Sequence, residues 1–200
     1  MQYPLFFDEV DSILLYDPLS DFLGAFEEGK VEIGYVDCVK QAGHSCPTVA
    51  GAYLMTMIGL EILYGSELPQ RGNIYIGIKG KKEEGSSGVI GTIISFIVGA
   101  SGEEGFKGIQ GKFSRDHLMA YGQNMMGDVT LRRVDNNISV SLSYDPSMIP
   151  GDQRLKHLMG KVFQGKASGQ EESLFKELWQ NRVKEILLTK ELRNKIIQVY

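Results

Sequence analysis

The sequence predicts an α+β fold: a central, mainly antiparallel sheet, a buried helix inserted against it, and a helical C-terminal region. Three patterns carry that reading. Residues 128–144 alternate apolar and polar on both sides of Asp135-Asn136, as a hairpin does. Residues 47–64 are apolar nearly all round and long enough for a helix enclosed by the rest of the fold. Residues 170–197 repeat Leu174, Phe175, Leu178, Trp179, Val183, Ile186 and Leu187 as an amphipathic stripe.

The other elements follow in order. In residues 5–25, Leu5, Phe6, Val10, Ile13 and Leu14 recur at helical spacing, and Asp17-Pro18 supplies a cap and first-turn proline. Two short helices are expected there. Residues 31–39 alternate like a strand, with Val31, Ile33, Tyr35, Asp37 and Val39 on one face and Glu32, Gly34, Val36 and Cys38 on the other. An Asp on the more apolar face breaks the pattern. Residues 41–46 predict a loop, 73–79 a strand, 80–88 a solvated turn and 88–98 a second buried helix. A glycine-rich stretch spans 99–111. Helices are expected over 150–164 and 170–197, separated by 165–169. The composition shift after Asp145-Pro146 divides the chain into an α+β core, 1–148, and an extension, 149–200, packing on a partner subunit or on the core.

Bulk properties narrow the function. The chain has 200 residues, 42% of them hydrophobic and 23% charged, as in ordinary globular domains. A net charge of −4 without a basic run argues against nucleic acid as a partner. The first residues carry Asp8, Glu9 and Asp11 and no basic side chain, unlike a secretory signal. The apolar run 89–100 is shorter than the roughly 20 residues of a membrane span, so no membrane association is expected. The two cysteines, Cys38 and Cys46, fit a reducing cytoplasm that leaves both thiols free.

The segment Gly43-His44-Ser45-Cys46-Pro47-Thr48 carries the chemistry. In an extended chain His44 and Cys46 share one side with Cα atoms roughly 7 Å apart, close enough to share a metal. Imidazole and thiolate suit zinc, and also copper and iron. Pro47 lacks an N–H and fits the first helical position, which makes Cys46 the cap, where the positive helix end favours thiolate over thiol. The plainer alternatives are an inert buried cysteine and a histidine that only caps the loop.

The run from Gly43 to Ala52 resembles the Gly-His-x-Cys-Pro signature of the FmdE family, named after a component of formylmethanofuran dehydrogenase. In that family the signature opens a helix and forms the proposed metal-binding site, so the resemblance implies ligand roles for His44 and Cys46. It covers roughly residues 5–145. Residues 99–111 stand where the family has Thr-Gly-Cys-Thr-x-Gly-Lys-Gly-Asn, but here read Gly99-Ala100-Ser101-Gly102-Glu103-Glu104-Gly105-Phe106-Lys107-Gly108, with no cysteine. Cys38 is added from its residue type as a third zinc ligand, with Asp37 as the competing general base or hydrogen-bond partner of His44. Thr48, Glu103, Lys107 and His117 complete the candidates around the metal or a small-molecule ligand.

Other segments carry less. No window of 99–111 matches a phosphate-binding loop; it reads as a turn or gate over the site, or as direct contact through Lys107 or a glutamate. Ser114-Arg115-Asp116-His117 reads as a solvated corner and His157 as a surface residue. The C-terminal stripe can pack on the core or hold a homodimer together. The expected function is a cytoplasmic metal-binding protein with an accessory or regulatory role, holding one divalent ion, zinc. The alternatives are a metal-dependent enzyme on a small molecule, with Asp37 or Glu103 as base, and a haem- or thiol-based binding protein acting through Cys46-Pro47.

Overall fold

A computed structural model describes residues 2–200. The α+β class holds. A five-stranded sheet has the order β4-β3-β5-β6-β7, formed by β3 (Ile74–Ile78), β4 (Met119–Ala120), β5 (Val129–Arg133), β6 (Ser139–Tyr144) and β7 (Ile197–Val199). Within it β3 and β4 run parallel and the other neighbours antiparallel. The expected hairpin is β5/β6, with Val129 opposite Leu142 and Leu131 opposite Val140 in the core. A separate two-stranded sheet joins β1 (Ile13–Tyr16) to β2 (Lys30–Ile33).

Residues 5–25 depart from the two-helix expectation. A 3-10 turn, Leu5–Glu9, is followed by the strand β1, and only Pro18–Leu23 (α1) is α-helical. Ile13 and Leu15 face inward opposite Ile33 and Val31, while Leu14 is exposed. Cross-strand pairing decides between two periods that the same residues satisfy.

Residues 31–39 are corrected too. The strand β2 ends at Ile33, and Tyr35–Ala42 form α2. The Asp37 carboxylate accepts the Gly34 N–H at 3.0 Å and so caps the helix start. Tyr35 and Cys38, three apart, are the buried face. Asp37 and Cys38 therefore do not lie on opposite faces of a strand.

The helix α3 spans Pro47–Tyr64, as expected, and is the pillar of the fold. It contacts α2, β6, α4 (Ser87–Val98) and α6 (Gly169–Leu188). Among the described residues it is the helix long and apolar enough to cross a membrane, yet about two-thirds of it is buried inside the domain. Its small residues explain how. A Cβ at Gly51 would clash with the ring of Tyr144, and one at Gly59 would stand 2.7 Å from Leu131 Cδ1. The glycines let the sheet's large side chains close on the helix backbone.

The C-terminal region is helical only in part. Helix α5 (Leu155–Phe163) begins after Gly151, whose φ of 79° excludes it from the helix, and α6 ends at Leu188. A 3-10 turn and the four-residue α7 (Arg193–Ile196) follow, and then comes β7, with Ile197 paired to Tyr144 and Val199 to Leu142. The stripe on α6 is used twice within the chain. Val183, Ile186 and Leu187 enter the main core, while Leu174, Phe175 and Leu178 cover Leu155 and Leu158 of α5. A homodimer is not needed to cover it.

Two glycine substitutions separate packing from helix propensity. Gly51→Ala should lower the free energy of unfolding by about 1–3 kcal/mol, because Tyr144 cannot retreat without disturbing β6. Gly160→Ala, on α5 with nothing near its would-be Cβ, should raise it by up to about 1 kcal/mol. Urea midpoints at constant m-value measure both.

Candidate functional site

The Gly43–Thr48 segment is held from several sides. Gly43 ends α2 in the left-handed conformation (φ 74°), its N–H on Val39 O, and turns the chain towards α3. The Ser45 side chain points inward, its hydroxyl 3.0 Å from Tyr35 Oη. The Ser45 carbonyl accepts from Trp179 Nε1 at 2.9 Å and from Gln180 Nε2 at 3.4 Å. Tyr144 Oη donates to Pro47 O at 2.9 Å. Strand β6 and helices α2 and α6 thus fix one short stretch of backbone.

On either side of buried Ser45, His44 is exposed and Cys46 half-buried, as alternation in an extended segment requires. Cys46 is the N-cap of α3 with extended backbone, and its thiol makes no capping hydrogen bond. Pro47 occupies the first helical position. His44 Nδ1 lies 3.0 Å from the Ala42 carbonyl. A carbonyl only accepts, so the proton of neutral His44 belongs on Nδ1, and Nε2 keeps its lone pair.

The remaining candidates are scattered. Cys38 is fully buried on α2, and burial followed by the nearby Asp37 charge pushes its thiol up to about 12. Asp37 is occupied by the Gly34 N–H and by Lys40 Nζ at 2.9 Å. Thr48 is half-buried in the first turn of α3. Lys107 pairs with Asp116 at 2.9 Å, and exposed His117 stands 3.5 Å from the same carboxylate. Hydrogen bonds from the Ser114 and Lys107 side chains hold Asp116 at about 2. None of Asp37, Glu103, Lys107 or His117 lines the hollow of about 410 Å³ beside His44, whose walls include Gln41, Lys82, Val89 and Thr92. Among the described residues no three His, Cys, Asp or Glu side chains stand together as a metal site.

A second centre is not visible in the sequence. Gln41, Lys82 and Thr92 also line a larger cavity of about 590 Å³ between α4 and the 99–121 segment. At its floor Asp17 is clasped by two arginines, with Oδ2 accepting from Arg71 Nη1 at 2.9 Å and Oδ1 from Arg115 Nη2 at 2.6 Å. Asp17 Oδ1 also caps α1 through Leu19 and Ser20 N–H. Burial would raise the Asp17 carboxyl, but the Ser20 N–H and the two guanidiniums outweigh it and hold it below the usual range. Arg115 is therefore not part of a solvated corner; only 11% of its side chain is exposed. The 99–111 stretch is pinned, with Ser101 N–H on Arg115 O, Leu118 N–H on Ser101 O and His117 N–H on Gly102 O. It forms a wall of this cavity.

No protein-family model matches the chain, and no curated protein matches it either.

The two thiols should differ sharply in reactivity. At pH 8, titration of folded protein with an aromatic disulfide reagent should count one fast thiol, Cys46, and denaturant should release the second. Two fast thiols before unfolding would contradict the placement of Cys38 in the core.

Proposed function

We propose that this chain is a metal-binding protein resembling the FmdE family, with an accessory or regulatory role, and that it takes one divalent ion, zinc, on His44 and Cys46. The observation that carries the reading is the hydrogen bond between His44 Nδ1 and the Ala42 carbonyl. It selects the tautomer whose Nε2 can ligate and fixes the ring, as outer hydrogen bonds do for metal-bound histidines. The free thiol at the helix cap adds a soft donor two residues on.

Imidazole and thiol match zinc in donor chemistry, but two ligands are fewer than the four that enclose a structural ion. The donor set therefore fits an exchangeable ion with its other positions left to water or to a small molecule. The hollow beside His44 gives such a molecule room. A divalent ion bound there would act as a Lewis acid on an oxygen of that molecule. What the protein itself contributes is orientation: Trp179 and Tyr35 hold the Ser45 carbonyl and hydroxyl between the two ligands, and Tyr144 holds the Pro47 carbonyl just after Cys46.

Metal analysis tests the reading. Protein purified without added metal should carry about one zinc per chain. His44→Ala and Cys46→Ser should each lower occupancy about tenfold or more at unchanged circular dichroism. Wild-type protein that neither carries zinc nor binds it on dialysis contradicts the proposal. A Soret band in place of zinc would transfer the site to haem on Cys46.

A further inference from the structure

The cavity above Asp17 contains more positive charge than its architecture needs. All three nitrogens of Arg71 donate: Nη1 to Asp17, Nε to Ile97 O at 2.9 Å and Nη2 to Phe96 O at 2.8 Å, which ties β3's approach to the end of α4. Arg115 differs. Its Nη2 donates to Asp17 and its Nη1 to Gly99 O at 3.2 Å, while its Nε–H has no partner among the described residues.

The position of Arg115 depends on two glycines in left-handed conformations. A Cβ at Gly72 (φ 76°) would meet the guanidinium at 2.9 Å, and one at Gly99 (φ 65°) would overlap Nη1. Both residues therefore leave room for a cation close to the backbone.

Two guanidiniums share one carboxylate, so this centre has an excess charge of one. Lys82 and Glu104 also line the cavity, and they offset one another, with Lys82 helping to hold Glu104 below the usual carboxylate range after its backbone hydrogen bonds. Burial makes the Arg71 cation costly; Asp17 offsets part of this and the neighbouring Arg115 adds to it. An anion entering the cavity would relieve that repulsion. Around the charged floor the walls supply the Ser101 and Tyr121 hydroxyls and the apolar surfaces of Phe96, Phe106 and Met119. A volume of about 590 Å³ holds a small organic molecule.

We propose that this cavity binds a small organic carboxylate, its charged end on Arg115 beside Ser101 and its apolar body between Phe96, Phe106 and Met119. Arginine suits the carboxylate because its planar donors match two oxygens in one plane. Asp17 keeps the guanidinium ionised and aimed, so little ordering is left to be done on binding. The cavity adjoins the hollow beside His44 through Gln41, Lys82 and Thr92, but His44 is not among its walls and binding on Arg115 needs no metal.

The test uses 2-naphthoate and its neutral isostere 2-naphthamide, titrated against the full chain by calorimetry. The acid should bind about tenfold or more tightly than the amide. Arg115→Gln should abolish that preference, and His44→Ala should retain it. Thr92→Trp, an exposed position on α4, should obstruct the cavity and weaken the acid about tenfold without disturbing the core. Equal affinities for acid and amide, no binding of the acid at millimolar concentration, or a preference that survives Arg115→Gln would overturn the proposal. If Arg115→Gln does not fold, the wild-type comparison and Thr92→Trp decide it.

Discussion

Burying α3, eighteen residues of almost unbroken apolar surface, is the constraint that the rest of the fold meets. Such a helix offers little to water, so the chain packs around about two-thirds of it and leaves Glu61 and Ile62 exposed near its end. The sheet covers one side, α4 and α2 cover others, and α6 returns from the C-terminal region to pack on it as well. Close approach is paid for in glycine: Gly51 and Gly59 give up side chains so that Tyr144 and Leu131 can sit against the backbone. Enclosure also has a consequence at the helix start. The helix N-terminus must surface somewhere, and the segment that leads into it, Gly43 to Cys46, is held by the same elements that bury the helix.

That coupling links packing to chemistry. Trp179 on α6 and Tyr144 on β6 are core residues by position, and both end in hydrogen bonds to the backbone on either side of Cys46. Ser45 is drawn inward by Tyr35. This stretch leaves His44 exposed and Cys46 half-buried against the core. The arginine-clasped Asp17 works on the same plan on another wall, where a capping carboxylate of α1 doubles as the anchor for cations from β3's entry and from the segment before β4. Both centres place polar atoms where the backbone is over-determined, a condition that favours orientation over adaptability.

Legibility of the sequence follows the range of the interactions. The hairpin β5/β6 and helix α3 are readable because alternation and all-round apolarity are local patterns. Ile13 and Leu14 satisfy two periods at once, and only pairing with Val31 and Ile33 resolves them. Asp37 on an apolar face is a usable signal: its misfit as a strand residue marks the cap of α2. His44, Cys46 and Pro47 are legible as a motif with its helix. Their supports are not, since Trp179 lies 134 residues from Ser45. Arg115 lies 98 residues from Asp17, and nothing in Ser114-Arg115-Asp116-His117 distinguishes a buried guanidinium from a surface one. Gly72 and Gly99, which leave room beside it, are distant in sequence as well.

The proposed function centres on the segment entering α3, where His44 and Cys46 would hold one ion with its remaining positions open. Anomalous scattering from crystals grown with zinc, recorded on both sides of the zinc absorption edge, addresses it most directly. One strong peak per chain is expected within coordinating distance, about 2.0–2.3 Å, of both His44 Nε2 and Cys46 Sγ. A peak elsewhere, or His44 and Cys46 turned away from each other with no peak between them, would contradict it.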